Sequence, residues 1–400
     1  MIALSPRVSR IKVSPSTLAA QKVRALRAEG RDIIGLSIGE PDFETPAHVK
    51  QAVIEALARN ETRYPPYDGI PALKEAVRRK FQRDNGLEFA LDEVMVGTGS
   101  KHLLFNALLA TVSAGDEVII PAPYWISYID MALVADGVPV VVDCGIESGF
   151  KITPEKLDAA IGPATKWLLL NSPGNPSGAI YSRDELAALA EVLRRHPHVW
   201  VLCDDIYEHL RFDGIEFVTM AQVAPDLAER TLTVNGVSKA YAMTGFRLGF
   251  AGGPRELIRA MVKIQGQATA GVNSLSQWGA VAALNGPQEF LAERAAAFQQ
   301  RRDRMLEILA EVPGLICDRP QGAFYLFPRC EGLLGRTAPG GKVLETEQDV
   351  VLYLLEEAGV AVVQGEAYGL SPHFRISIAT SLENLVEAGK RIGRAVAALR

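Results

Sequence analysis

The chain has 400 residues, of which 48% are hydrophobic and 22% charged, and a formal net charge of −5. This is globular composition with ample apolar material for a large core, and at about 100–200 residues per domain it implies two or three domains. The acidic balance argues against a nucleic-acid or polybasic membrane partner but leaves room for a local basic pocket.

Arg7, Arg10 and Lys12 precede no apolar stretch, so no secretory signal is expected. No apolar run approaches the length of a bilayer span. Cys144, Cys203, Cys317 and Cys330 share no C-x-x-C spacing. Neither a disulfide framework nor a metal site is expected; they read as buried thiols of a cytoplasmic protein.

Seven short apolar runs recur between residues 94 and 253: VMVG (94–97), EVIIP (117–121), PVVVDC (139–144), KWLLLNS (166–172), HVWVLCD (198–204), TLTVNG (231–236) and LGFAGG (248–253). Their apolar character is near-continuous, which predicts strands buried on both faces of a mostly parallel sheet. Helical segments lie between several of them. The clearest is 183–195, with Leu186, Leu189, Ala190 and Leu193 on one face and a capping box from Ser182 and Glu185. Strand and helix in alternation predict an α/β domain with helices covering the sheet.

The pattern changes after about residue 285. A long helix near 290–312 is followed by AFYLF (323–327), a helix near 347–358 closed by Gly359, VAVVQG (360–365), FRISIA (374–379) and a final helix from Ser381. These predict a smaller α+β unit, with 331–346 as a Gly-containing surface loop.

Five motifs carry chemistry. V-G-T-G-S-K (96–101) stands between a strand and a helix beginning near Ser100. It suits an anion at a helix N-terminus, or equally a tight turn. N-S-P-G-N-P-S-G (171–178) is a rigid loop at a strand's carboxyl end, where open α/β sheets bind ligands; composition alone favours a plain turn. D-D-I-Y (204–207) occupies the same kind of position. Asp204 there is either a helix cap or surface group, or a carboxylate waiting for a protonated ring nitrogen, with Tyr207 offering a phenol to a ligand oxygen.

S-K-A-Y-A-M-T-G-F-R (238–247) sets Lys239 in an apolar loop after a strand. Most lysines are solvated charges; this one is also a candidate nucleophilic amine. Arg247 adds a planar fork suited to phosphate or carboxylate. Finally, alternation in F-R-I-S-I-A-T puts Phe374, Ile376 and Ile378 on one face and Arg375 and Ser377 on the other. Arg375 then lies at a solvated edge or docks a substrate carboxylate.

Taken together and in this order, these elements resemble the aspartate aminotransferase superfamily of fold-type I pyridoxal-phosphate (PLP) enzymes, and within it the bacterial aspartate/prephenate aminotransferases. The resemblance runs from R-I-K near Lys12 to the C-terminal helix. It implies a large domain with a mostly parallel seven-stranded sheet between helices (46–286), a smaller α+β domain (15–45 with 287–400), an N-terminal arm (1–14) and a homodimer with shared active sites.

It also implies roles. Lys239 forms the Schiff base to PLP, Asp204 pairs with the ring nitrogen, and Tyr207 and Asn175 bond the ring oxygen. Trp125 stacks on the ring, and Gly99, Ser100, Lys101 and Arg247 surround the phosphate. Tyr64 reaches the neighbouring subunit's phosphate. Arg375 and the Gly39 backbone hold the α-carboxylate, while Lys101 and Lys12 attend to the distal end of the substrate.

Two departures stand out. Many members carry Ser three residues before the lysine, where this chain has Gly236; Ser238 is a possible replacement. The animal-type branch reads the distal carboxylate with an arginine from the partner subunit, which has no counterpart in this sequence, and the arm reads K-V-S-P-S (12–16) where the bacterial branch usually has K-P-S. The implied reaction is amino transfer between aspartate or glutamate and a 2-oxo acid such as 2-oxoglutarate, with prephenate as a further acceptor; an aromatic, tyrosine-type aminotransferase is the alternative. Decarboxylation or β-elimination on the same cofactor is distinguished by products. A PLP-dependent regulator needs a DNA-binding domain ahead of a fold expected to begin near residue 15. A nicotinamide dehydrogenase needs a G-x-G-x-x-G after an early strand, which is missing here.

Overall fold

The computed structural model describes residues 3–13 and 15–400; positions 1, 2 and 14 of the expected arm lie outside the described residues. After a short strand β1 (Ile34–Gly35), the seven apolar runs become β2 (Val94–Gly97), β3 (Glu117–Ala122), β4 (Val138–Asp143), β5 (Thr165–Asn171), β6 (Trp200–Asp204), β7 (Thr231–Gly236) and β8 (Gly249–Gly252). They form one sheet in the order β2-β8-β7-β6-β5-β3-β4, in which only β8 runs antiparallel to its neighbours.

Every residue of β2, β7 and β8 is buried, which accounts for the unbroken hydrophobicity of these runs. One face packs Leu103, Leu104 and Met261 from helices 100–111 and 255–268. The other packs Leu186, Leu189 and Leu193 from helix Arg183–Arg195. That helix starts with the expected capping box: Ser182 Oγ accepts from the Glu185 N–H, and Glu185 accepts from the Ser182 N–H at 2.8 Å.

The C-terminal unit has its own core, built from Phe298, Met305 and Leu309 of helix Glu289–Ala310, Leu385 and Ile392 of helix Leu382–Ala397, and short strands. Here the structure departs from the sequence reading. AFYLF yields only β9 (Tyr325–Leu326). VAVVQG divides at Val362 into β10 (Val360–Ala361), which pairs with β1, and β11 (Val363–Gln364), which pairs with β12 (Phe374–Ser377). Each piece is two residues long because the chain changes sheets there, so strand length was not readable from apolar content.

All four residues of β12 are buried, Arg375 included. The strand lies between β11 and β9, so of the two readings of Arg375 the solvated edge drops out.

The turn after β6 is anchored from behind by a buried polar network. Lys80 of helix Pro71–Asn85 is 1% exposed, pairs with Glu208 and donates to Asn85 Oδ1 at 2.7 Å. Asn85 donates to the second oxygen of Glu208 at 2.9 Å. Losing one member of a buried ion pair leaves the other charge uncompensated, which costs about 3–5 kcal/mol. Lys80→Met is therefore expected to lower stability in urea unfolding by that amount, and adding Glu208→Leu to recover more than half of it. A single variant within about 1 kcal/mol of the parent contradicts the anchoring role.

Candidate active site

Parallel strands point their carboxyl ends to one edge, and a cavity of about 410 Å³ opens there. Ser100 and Lys101 reach it from the helix after β2, Trp125 and Tyr128 from the segment after β3, and Asn175 from the loop after β5. Asp204 and Tyr207 come from β6 and its turn, Lys239 and Arg247 from the loop after β7, and Tyr325 and Arg375 from the C-terminal unit.

Asp204 is 3% exposed, and burial, only partly offset by hydrogen bonding from Tyr128 and the Ile206 backbone and by the charge of Lys239, raises its carboxyl to about 6. Tyr128 Oη donates to Oδ2 at 2.7 Å, while Oδ1 has no protein partner. The Asp204 carbonyl accepts from Asn171 Nδ2 at 2.8 Å, and Asn171 Oδ1 accepts the Asn175 N–H at 2.8 Å, so the Asn-Pro-Gly loop is hung on the same strand end.

Lys239 Nζ donates to the Gly39 carbonyl at 2.7 Å. Burial, reinforced by the positive charges of Arg375 and Arg247, lowers its amine to about 8. Arg375 is fixed by donation from Nη1 to Asn175 Oδ1 at 3.0 Å and from Nη2 to the Ser37 carbonyl at 2.6 Å, and its Nε has no protein partner. Its guanidinium lies over the rings of Tyr325 and Tyr368, at 4.5 and 5.1 Å.

At the other end of the cavity the backbone is stripped of Cβ atoms. Gly99 has φ +81°, and a Cβ there would meet Arg247 Nη2 at 2.5 Å. A Cβ on Gly249 would meet the Ser100 N at 2.4 Å. Gly236, the departure noted above, has a physical reason: a Cβ there would lie 2.7 Å from Ser100 Oγ, which instead bonds the Asn235 carbonyl at 2.8 Å. The first turn of the helix Ser100–Thr111 has no side-chain cap, so its N–H groups, Arg247 and Lys101 make an anion cradle. Burial, helped by Arg247, lowers the Lys101 amine, whose Nζ lies 4.7 Å over the Trp125 ring.

Of the residues singled out from sequence, Gly39, Ser100, Lys101, Trp125, Asn175, Asp204, Tyr207, Lys239, Arg247 and Arg375 line this one cavity, and Gly99 abuts Arg247 at its rim. Tyr64 and Lys12 do not line it. Tyr64 is 91% exposed, and Lys12 is exposed with its N–H on Asp130 Oδ1 at 3.3 Å.

Sequence reasoning missed Tyr128 and Tyr325. Tyr128 had a usable signal, since it follows Trp125 by three residues at the start of helix Ser127–Val134, close to one helical turn. Tyr325 had none, being one aromatic among several in an apolar run.

A family model for aminotransferase class I and II matches residues 31–392. An aspartate aminotransferase of Rhizobium meliloti (strain 1021) is 56% identical over 389 residues, 97% of this chain and 95% of that one. An aspartate/prephenate aminotransferase of Cereibacter sphaeroides is 55% identical over 392 residues, 98% of each chain. Among solved structures, the Rhizobium meliloti aspartate aminotransferase superposes with TM-score 0.98 at 55% identity, covering 100% of both chains. The Thermus thermophilus aspartate aminotransferase with maleate has TM-score 0.92 at 42% identity, over 99% of this chain and 100% of that one.

The raised carboxyl of Asp204 has a consequence for stability. Unfolded aspartate ionises near 3.9, whereas folded Asp204 ionises near 6. Between these values the folded protein holds a proton that the unfolded chain releases, so stability falls as pH rises through the window and stays low above it. In cofactor-free protein, Asp204→Asn is expected to raise stability at pH 7.5 by about 1–3 kcal/mol. The gain should shrink to nothing near pH 4. Thermal melts at the two pH values check this; an equal gain at both means the titration is not responsible.

Proposed function

The chain belongs to the class I and II aminotransferases, and on that premise we propose that it is a PLP enzyme moving an amino group between aspartate or glutamate and a 2-oxo acid, with prephenate as a further acceptor. The observation that carries this reading is the buried, unpartnered Oδ1 of Asp204 in the same cavity as the lowered amine of Lys239. A buried carboxylate oxygen without a donor is costly, and a protonated ring nitrogen satisfies it.

The rest of the cavity fits the same cofactor. The glycine-lined cradle at Gly99, Ser100 and Arg247 suits its phosphate, Tyr207 and Asn175 its ring oxygen, and the face of Trp125 its ring. When bound, PLP supplies an aldehyde that takes up amines and a ring that draws electron density from the substrate's α-carbon.

The chain's own groups supply the remainder. Lys239, with its amine near 8, has a substantial neutral fraction at physiological pH and is placed to take the proton from the substrate α-carbon. Arg375, held by Asn175 and Ser37, keeps a guanidinium face for the α-carboxylate. Lys101 answers the distal carboxylate beside Trp125; Lys12, exposed outside the cavity, would assist only if its side chain turned inward from the arm. In a homodimer, the exposed Tyr64 of the partner subunit would complete the phosphate site. We propose that the enzyme divides into an arm (1–14), a small domain (15–45 with 287–400) and a large domain (46–286).

The test is to load purified protein with PLP, reduce with borohydride and map the label, which is expected on Lys239. Half-reactions with aspartate, glutamate, tyrosine and arogenate then rank donors; turnover confined to tyrosine replaces the dicarboxylate reading with the aromatic one. Lys239→Ala should lose the visible absorbance and at least about 10²-fold in turnover, and a variant retaining both sinks the assignment. Arg375→Lys should raise the KM of every amino acid by about tenfold, with kcat also reduced by misalignment. An unchanged KM throughout the panel places this arginine outside the substrate site.

A further inference from the structure

Tyr325 stands where three parts of the site meet. It is 1% exposed and lines the cavity. Its strand pairs with β12 next to Arg375, Tyr325 lying opposite Ser377. Its ring lies under the Arg375 guanidinium at 4.5 Å. Its hydroxyl is 2.8 Å from the hydroxyl of Tyr207, which comes from the central sheet. The same hydroxyl packs on the backbone of Gly39, where a Cβ would come within 2.5 Å of it. Any other residue at 39 would push Tyr325 aside, and Gly39 is also the acceptor for Lys239.

The two hydroxyls share a single hydrogen bond, and burial keeps both phenols protonated. The glycine α-carbon of residue 39, on which the Tyr325 hydroxyl also packs, accepts no hydrogen bond. The arrangement that leaves no proton wasted has Tyr325 donating to Tyr207, which turns the Tyr207 proton into the cavity. A hydroxyl that accepts one hydrogen bond becomes a better donor of the next. The ring, meanwhile, holds the planar guanidinium of Arg375 by a cation–π contact in a desolvated place.

We propose that Tyr325 is a positioning residue that joins the carboxylate-binding arginine to the cofactor-facing phenol, its hydroxyl aiming Tyr207 and its ring seating Arg375. This rests on the PLP reading given above. It predicts separable roles for hydroxyl and ring, which two substitutions distinguish. Tyr325→Phe removes the hydroxyl and keeps the ring; Tyr325→Leu removes both.

The experiment uses PLP-loaded parent and variant proteins and reads three quantities: the pH midpoint of the visible absorbance, the Kd of maleate followed by that absorbance, and the melting temperature. A weaker Tyr207 donor stabilises an ionised ring oxygen less, so the midpoint rises. For Tyr325→Phe we expect an upward move of about half a pH unit, near a threefold change in proton affinity. Its maleate Kd should stay within about twofold, because the ring remains. For Tyr325→Leu we expect the same midpoint change together with about tenfold weaker maleate binding.

An unmoved midpoint in Tyr325→Phe overturns the proposal, whatever happens to its melting temperature, because a merely structural role would lower the latter alone. A tight maleate complex in Tyr325→Leu overturns the role of the ring. Should the Leu variant fail to fold, the Phe variant still decides the hydroxyl's part. A parent protein that gains no visible absorbance with PLP overturns the functional reading itself, and this proposal with it.

Discussion

Asp204 ends a central strand of the sheet, with one carboxylate oxygen capped by Tyr128 and the other buried without a hydrogen-bond partner. Burying a carboxylate in this way is unfavourable by itself, which is why its ionisation shifts upward. The surrounding structure exists in large part to hold that unfavourable group still. β6 is flanked by β5 and β7, Asn171 ties its last carbonyl to the neighbouring loop, and the Lys80–Glu208 network pins the turn that follows. A ligand with a cationic ring nitrogen would offset that cost.

Around that carboxylate the cavity collects cations. Lys101, Lys239, Arg247 and Arg375 all line it, in a chain whose net charge is −5. Local field and global charge therefore have opposite signs, the arrangement expected where anionic ligands are concentrated from solution. Burial chiefly keeps the amine of Lys239 low, and the positive charges of Arg375 and Arg247 add to it.

The site is also a junction. The central sheet contributes Asp204, Tyr207 and Lys239, while the C-terminal unit contributes Tyr325 and Arg375. Arg375 reaches back to Asn175 in the loop after β5, and Tyr207 meets Tyr325. The apolar packing around them is shared too, one hydrophobic cluster joining Ile206, Tyr207 and Leu210 after β6 to Phe324, Tyr325 and Ile376 of the C-terminal unit. Arg375 and Tyr207, at two ends of the cavity, are thus both held by buried hydrogen bonds between distant segments.

Much of this was legible in chain order. Strand after strand of continuous apolar residues announced a doubly covered sheet, because burial on both faces leaves no room for polar alternation. The residues just beyond those strands carried the chemistry, because parallel topology gathers carboxyl ends at one edge. Asp204, Tyr207, Asn175 and Lys239 stand at or after strand ends and Arg375 within β12; their motifs are local and could be singled out, while the roles expected of them came from the resemblance. Tyr325 and the reason for Gly236 could not. Each depends on a contact between segments far apart in the chain, Tyr325 with Tyr207 and Gly236 with Ser100. Short strands that change sheets, such as β10 and β11, were hidden as well, since a two-residue pairing leaves no periodicity to read. Local pattern specifies which groups a segment can offer; only packing brings two distant segments within bonding distance, and there the partners of a buried polar atom are decided.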